Sequence, residues 1–593
     1  MSVARLSVNS LADGDERLSD EVELYHRTYT TLLRSSGDTR LRVLEPSHRS
    51  MRSSLHPLAD SPELDLGAFL YAVRRLPEAI AGTRRVVMGQ SVESLISEGG
   101  VNVSQWPETE SQARRRRWYV GPDATLAVLL ASVSDVDDLV PTLVAYQIEW
   151  NKIHMRLSGA GRELGEDPDV ERCASLLSGS SQDWARLQET WGAAFNGRLA
   201  MVADHRLSLH IRMLGGSNAG YARMTRRWWA PVQAELSRVE HDQQQADQHQ
   251  PQPAAGGPLA TSSASAPLYF VSSNTHSLVN IATGLARDRE QQLVEFVETL
   301  PAQDILREEL RAFREGRTEG SWENFLYFVA RRYFAAAGPE GLAQRRSAEA
   351  RLGVRHLRST TALRISAQII PLRSLDPAGL DPRLGSIDAQ ALATSRARIV
   401  NIDYPLGLAA YNILREVGID STALRGVYVL GKAATLNADV GDVLISSVVH
   451  DEHSRCTYWL DNAFSVEDLE ADLRFGNGLD NQRTVTVKST FLQNRSYLDF
   501  YYREAFTVVE MEAGPFLNAV YELVAPDRFP VGEAINFSKL PIDLGIIHYA
   551  SDTPYTQART LGARGLSYYG MDSTYASSLA IMRRILKLEG ILA

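Results

Sequence analysis

Between His241 and Ala266 the chain reads HDQQQADQHQPQPAAGGPLATSSASA, with Leu259 as its only large apolar residue. A stretch of Gln, Pro, Gly, Ala and Ser buries too little surface to offset the entropy lost in ordering its backbone. It therefore reads as a flexible linker over 241–266, dividing the chain into a part of about 240 residues before it and one of about 325 after it. The length of 593 residues also exceeds what one core usually serves, at roughly 150 residues per domain. With 44% hydrophobic and 23% charged residues, both parts have the means to fold.

Charge and cysteine usage narrow the function classes. The 62 Lys and Arg against 72 Asp and Glu give a formal net charge of -10, so nothing draws the whole chain to nucleic acid or an anionic membrane. Nucleic acid is not an expected partner. Cys173 and Cys456 are the two cysteines, too few for a disulfide framework or a cysteine-based zinc site, and fit a reducing cytoplasmic setting. Met1 to Asp20 soon meets Asp13, Asp15 and Glu16, and no later run reaches the roughly 18 apolar residues of a membrane span. Neither a secretion leader nor a membrane helix is expected.

The first part, 1–240, reads as mainly α-helical. Val22, Tyr25, Tyr29, Leu32 and Leu33 recur at helical spacing, as do Phe69, Leu70, Val73 and Leu76. Thr125 to Met155 and Trp184 to Leu214 continue the pattern. After the linker, 267–350 reads as a helical lead-in, and 351–593 as an α/β domain with a mixed, mostly parallel sheet flanked by helices. Its strands are expected at Leu363 to Leu372, Ile399 to Ile402, Gly426 to Leu430, Val443 to Val449, Thr484 to Val487, Thr507 to Met511 and Ile542 to Tyr549. Helical patterns between them cover Leu406 to Val417, Gly514 to Leu523 and Thr574 to Leu588. In such sheets ligands sit at the carboxyl ends of strands.

Three segments of this α/β part bring reactive residues together in order. They are RGVYVLGKAATLNADVGDVLI from Arg425 to Ile445, the run from FLQN at Phe491 to VVEMEAGPF ending at Phe516, and IIHYASDTP from Ile546 to Pro554. Together they resemble the nucleoside phosphorylase and nucleosidase superfamily, most closely its methylthioadenosine/adenosylhomocysteine nucleosidase branch. The resemblance covers about a third of the chain, roughly 398–588. It implies a nucleoside phosphorylase-like fold, a purine nucleoside or nucleotide as substrate, no cofactor or metal, and a homo-oligomer.

Cleavage of a ribose N-glycosidic bond leaves an oxocarbenium-like sugar, so the departing base needs a proton and the ribose hydroxyls need acceptors. By resemblance, Asp552 is the general acid, with Ser551 orienting it, and Glu512 accepts the ribose hydroxyls. Met511 lines the sugar's apolar face, Phe491 stacks on the purine, and Gly431 begins the glycine-rich turn facing sugar or phosphate. If the strand persists, Glu510 and Glu512 point the same way and two carboxylates share one site. The alternative for this segment is that it ends a strand, with Glu512 at a helix N-terminus for dipole reasons.

Departures from the family pattern bear on the substrate. Lys432 stands where relatives carry Ser or Thr, and His548 where they often carry Arg. A lysine near the ribose suggests an anionic substituent such as a nucleotide phosphate; alternatively Lys432 extends to solvent or neutralises Glu510. The first-strand loop shows neither the nucleosidases' water-activating Glu nor the phosphorylases' basic residues. Asp403 is the replacement base that the sequence offers, with a strand-end turn as its other reading. Hydrolysis, phosphorolysis with inorganic phosphate, and binding without turnover therefore all stay open.

Further motifs read as structural. FVSSNTHSLVN, from Phe270 to Asn280, reads mainly as a helix cap, and Gly215 to Gly220 as a loop. His450, Asp451, Glu452 and His453 lack the helical spacing of a metal site. Arg114 to Arg117, followed by Trp118 and Tyr119, reads as a solvated surface cluster.

Overall fold

A computed structural model describes residues 12–34, 37–164, 168–248, 266–421, 423–528, 531–553 and 570–592. The first eleven residues, linker residues 249–265 and Pro554 of the third segment lie outside them.

The first part is helical over most of its described length, but it also carries a sheet that the apolar spacing did not reveal. Its strands are β1 (Thr39–Arg40), β2 (Arg85–Gly89), β3 (Glu108–Thr109), β4 (Arg117–Val120), β5 (Thr125–Leu129) and β6 (His210–Leu214). They form one sheet in the order β1-β6-β2-β5-β4-β3, in which β2 runs parallel to both β5 and β6. Short, largely apolar strands of four or five residues, such as RVVMG and TLAVL, cannot be told from helical segments by periodicity, which is why the sheet was not expected. The helices at Ala12–Leu33, Leu66–Arg75 and Val133–Leu164 agree with the apolar spacing.

This sheet faces two cores. Val86, Met88, Leu126 and Val128 pack with helix Val133–Leu164, whereas Val87, Ala127 and Leu129 face the opposite way, as the two-residue period of a strand requires. The second face joins a core with Phe270, Val400, Val427 and Phe516 of the C-terminal part. Helix Asn218–Gln248 bridges the two and runs into the stretch expected to be linker. Its Trp228 Nε1 donates to the Ile365 carbonyl at 2.8 Å and its Trp229 Nε1 to Asp420 at 2.9 Å. Burying two indoles that also find acceptors fixes the units against each other, at about 1.5–3 kcal/mol per large side chain.

The C-terminal sheet comprises β7 (Leu268–Ser273), β8 (Arg355–Leu357), β9 (Ala367–Pro371), β10 (Arg398–Asp403), β11 (Leu424–Thr435), β12 (Val443–Asp451), β13 (Cys456–Leu460), β14 (Gly478–Thr486), β15 (Val508–Glu510), β16 (Ala534–Phe537) and β17 (Asp543–Asp552). The expected lead-in thus opens with a central strand: β7 pairs in parallel with both β10 and β11. The sheet is mixed: most of its pairing is parallel, while β9, β12 and β15 each enter antiparallel pairs. Strand β11 is long enough to pair first with β7 and later with β15, while β17 runs along its other side. The pairings β11-β17-β12-β14-β15-β11 therefore close a five-stranded ring, with Ala433, Leu444, Val508 and Ala550 packed as a small cluster. Helices Ala409–Asp420, Ala513–Val524 and Met571–Leu588 flank the sheet. Among the described residues no helix is long and apolar enough to cross a membrane.

Candidate active site

A cavity of about 350 Å³, within the range of small-molecule sites, opens between the two parts at the carboxyl ends of β10, β15 and β17. Of the residues singled out from sequence, Gly431, Lys432, Glu510, Met511, Glu512, Ser551 and Asp552 line it. Two local features of the chain bring them there.

The first is a bulge. Along β11 and β17, Ala433 pairs with Ala550 but Ala434 pairs with Asp552, leaving Ser551 as the extra residue. In a regular strand Ser551 and Asp552 point to opposite faces; the extra residue re-aims the chain so that both line the cavity. Ser551 Oγ lies 2.8 Å from Asp552 Oδ2 and 3.3 Å from the Ala433 carbonyl, and Asp552 is 4% exposed.

The second is the end of β15 at Glu510, with Glu512 preceding helix Ala513–Val524. Glu510 is the cap of that helix: one oxygen accepts from the Thr486 hydroxyl and the other from the backbone N–H groups of Glu512, at 2.5 Å, and Ala513, at 2.7 Å. The strand-end reading of this segment thus applies to Glu510. Glu512 is left to the cavity, where its Oε1 accepts from the Gly407 N–H at 3.2 Å. Burial, and next the charge of Glu510, push its pKa up to about 7.

Gly407 is required by both conformation and space. Its φ is +51°, and a Cβ there would sit 2.2 Å from Ser134 Oγ. Ser134 begins the long helix of the first part and accepts from the Leu408 N–H at 2.9 Å, so the N-terminal unit docks on the loop that holds Glu512.

Three expected site residues are placed elsewhere. Phe491 does not line the cavity: it is 1% exposed, packed edge-on to Tyr71 at 5.2 Å and among Val485, Leu498 and Val509. Its ring serves the contact between the two units, and the aromatic residues on the cavity are Tyr71 and Tyr404. Asp403 is held by the Arg115 guanidinium and by the Tyr404 N–H at 2.9 Å, a carboxylate occupied as an ion-pair partner rather than a free base. His548 is buried behind Gly431, its Nε2 3.7 Å from Glu510.

The sequence reading missed the N-terminal wall. Arg114 to Arg116 are not a solvated cluster: all three line the cavity together with Arg75 and Asp135. Arg114 forms a two-bonded pair with Asp138 at 2.8 and 3.0 Å, and Arg116 reaches both Asp135 and Asp138. Burial works against charge on Arg114, yet Asp138 more than offsets it, so its pKa is raised. Lys432 is exposed and also lines the cavity; its pKa is lowered by burial of its amino group and next by Arg114, with Asp552 and Glu512 opposing. The only sequence signal for this wall was the arginine run itself, since its partners across the cavity lie some 300 residues on.

The remaining motifs are structural. Asn274 Oδ1 accepts from the N–H groups of His276 and Ser277, capping the following helix. Asp451 accepts from the His453 ring and from Ser454, and among the described residues no group of three or more His, Cys, Asp or Glu could hold a metal ion.

A family model described as a family of unknown function, DUF6909, matches residues 41–587. No curated protein matches. Among solved structures, a putative methylthioadenosine nucleosidase from Weissella paramesenteroides is similar at 11% identity and TM-score 0.27, over 41% of this chain and 93% of its own. The MTA/SAH nucleosidase of Streptococcus pneumoniae, in complex with 8-aminoadenine, is similar at 13% identity and TM-score 0.27, over 41% of this chain and 96% of its own. The uridine phosphorylase of Schistosoma mansoni follows at 11% identity and TM-score 0.25, over 44% and 83%.

Proposed function

This chain belongs to the family of unknown function DUF6909, and we propose that it cleaves the N-glycosidic bond of a purine nucleoside or nucleotide. The observation that carries this reading is the convergence of Ser551 and Asp552 with Glu512 on one cavity, from segments nearly 40 residues apart in sequence. The resemblance of the VVEMEAGPF and IIHYASDTP segments to nucleosidases supplies the roles.

Asp552, protonated, gives its proton to the departing purine. A protonated acid is accommodated because the Ser551 hydroxyl has a single proton: with that proton on the Ala433 carbonyl, Ser551 Oγ accepts from Asp552. Glu512 accepts from the ribose hydroxyls. With its pKa near 7 a large share of it is ionised at neutral pH, and that carboxylate's contact tightens as positive charge develops on the sugar. Water adds to the anomeric carbon as the bond to the base breaks and loses its surplus proton to solvent, from which the Asp552 carboxylate is reprotonated, giving free ribose or ribose phosphate and the base.

The test is release of free base from a panel of purine nucleosides and nucleotides, followed by chromatography with and without inorganic phosphate. Base release that Asp552→Asn abolishes while ligand binding persists supports the assignment. Turnover at the wild-type rate in that variant removes Asp552 as the acid. Release only with phosphate makes the reaction phosphorolysis, and binding without release from any compound makes the site a nucleoside sensor.

A further inference from the structure

We propose that Arg75, Arg114 and Arg116 of the N-terminal unit, together with Lys432 of β11, form a phosphoryl-binding subsite, so that the substrate is a purine nucleoside 5'-phosphate. The inference rests on the N-ribosidase reading for the purine and ribose, but the subsite itself stands on the following geometry.

All four cations line the same cavity as Glu512 and Asp552. Arg75 and Arg116 are each 3% exposed, so neither charge is relieved by bulk water. Arg75 lies on the face of Tyr71, its guanidinium carbon 3.3 Å from the ring centroid, and donates to the Tyr71 carbonyl at 3.2 Å. Arg116 bonds Asp135 and Asp138 through Nε and Nη2, while its buried Nη1 has no hydrogen-bond partner among the described residues. A buried guanidinium nitrogen left unpaired is costly, and an oxygen of a bound anion would satisfy it.

The charges also oppose one another. Burial, with Arg114 and Arg116 acting the same way, pushes Arg75 down to about 10, and Lys432 is lowered by burial, by Arg114 and by Arg75. Arg75 and Lys432, each lowered in part by its cationic neighbours on the cavity, would both be relieved by an anion bound between them. Arg115 and Arg364 also line the cavity, but their side chains are 45% and 26% exposed, so water screens them more than it does Arg75 and Arg116. Neither unit alone forms the site: the guanidinium groups come from one and the reacting carboxylates from the other.

Binding is measured by calorimetry on the full chain carrying Asp552→Asn, which removes turnover from the readout. The probes are adenosine, inosine and guanosine, their 5'-monophosphates and inorganic phosphate. At least one monophosphate is expected to bind about tenfold or more tighter than its own nucleoside, as a multiply paired phosphate requires. Arg75→Met and Arg116→Met are expected to remove that preference while leaving nucleoside affinity within about twofold, and Arg75→Lys to restore part of it. Should inorganic phosphate alone bind with the same arginine dependence, and base release require it, the subsite stands and its occupant is the attacking phosphate. Equal affinity for nucleoside and monophosphate, with no binding of inorganic phosphate, overturns the proposal on the parent chain alone, whatever the arginine variants do. Arginine-dependent nucleotide binding by a wild-type chain that releases no base would sink the N-ribosidase reading and leave the subsite in place.

Discussion

Replacing Glu512 by Gln turns the raised pKa of this carboxylate into a stability measurement. The native chain holds a proton on Glu512 up to about pH 7, whereas an unfolded glutamate gives it up near 4.5. Between those values the native state binds more protons, so stability falls as pH rises through the window and levels off above it. The full difference amounts to about 3 kcal/mol at 1.36 kcal/mol per pH unit. Water in the cavity screens part of this, leaving about 1–2 kcal/mol. Gln keeps the shape and an oxygen for the Gly407 N–H but cannot ionise. Urea unfolding of the wild type and Glu512→Gln, followed by tryptophan fluorescence at pH 5 and pH 8 and constant ionic strength, gives the difference directly. The variant should gain about 1–2 kcal/mol on the wild type between the two pH values. A stability difference that stays flat across this range refutes the argument that burial and Glu510 hold the proton on Glu512.

Two further perturbations test how the cavity walls are built. Asp138→Asn leaves the buried Arg114 and Arg116 without their shared carboxylate, and urea unfolding at pH 7 should show a loss of about 3–5 kcal/mol. Burial alone would raise the Asp138 pKa, but Arg114 and Arg116 hold it well below the usual carboxylate range. Its contribution is therefore present above pH 4 and is lost as pH falls towards the native value. Phe491→Leu should cost about 1–2 kcal/mol in the same assay through lost packing against Tyr71, while nucleoside affinity measured by calorimetry changes less than about twofold. A large loss of affinity at unchanged stability would return Phe491 to the base-binding role.

Sequence alone determined the features that depend on near neighbours. The presence and approximate place of the helices at Ala409–Asp420 and Ala513–Val524, and of strands β10, β12 and β17, follow from apolar period and from the Gly, Pro and Asp residues that punctuate it, although the first helix and the end of β17 lie three residues beyond their expected bounds. The Glu510-Met511-Glu512 and Ser551-Asp552 groups were legible for the same reason, since each is a contiguous motif. The division of labour inside them was not. Whether Glu510 or Glu512 caps the helix depends on Thr486 reaching across from β14, and the common direction of Ser551 and Asp552 depends on a bulge that exists only once β17 is paired with β11.

The N-terminal sheet escaped notice because strands of four or five residues carry no period of their own; pairing partners about 40 and about 125 residues away define them. Phe491 illustrates the limit for single residues: an aromatic ring in a motif looks the same whether it faces a ligand or a neighbouring unit, and Tyr71 decides which. The arginine wall is the strongest case. A run of arginines is ordinarily solvated because isolated charges are costly to bury, and only the tertiary structure supplies Asp135 and Asp138 at bonding distance to make burial affordable. Local chemistry was written in the chain, whereas which chemistry meets across the cavity was decided by the docking of two units whose contacting residues are remote in sequence.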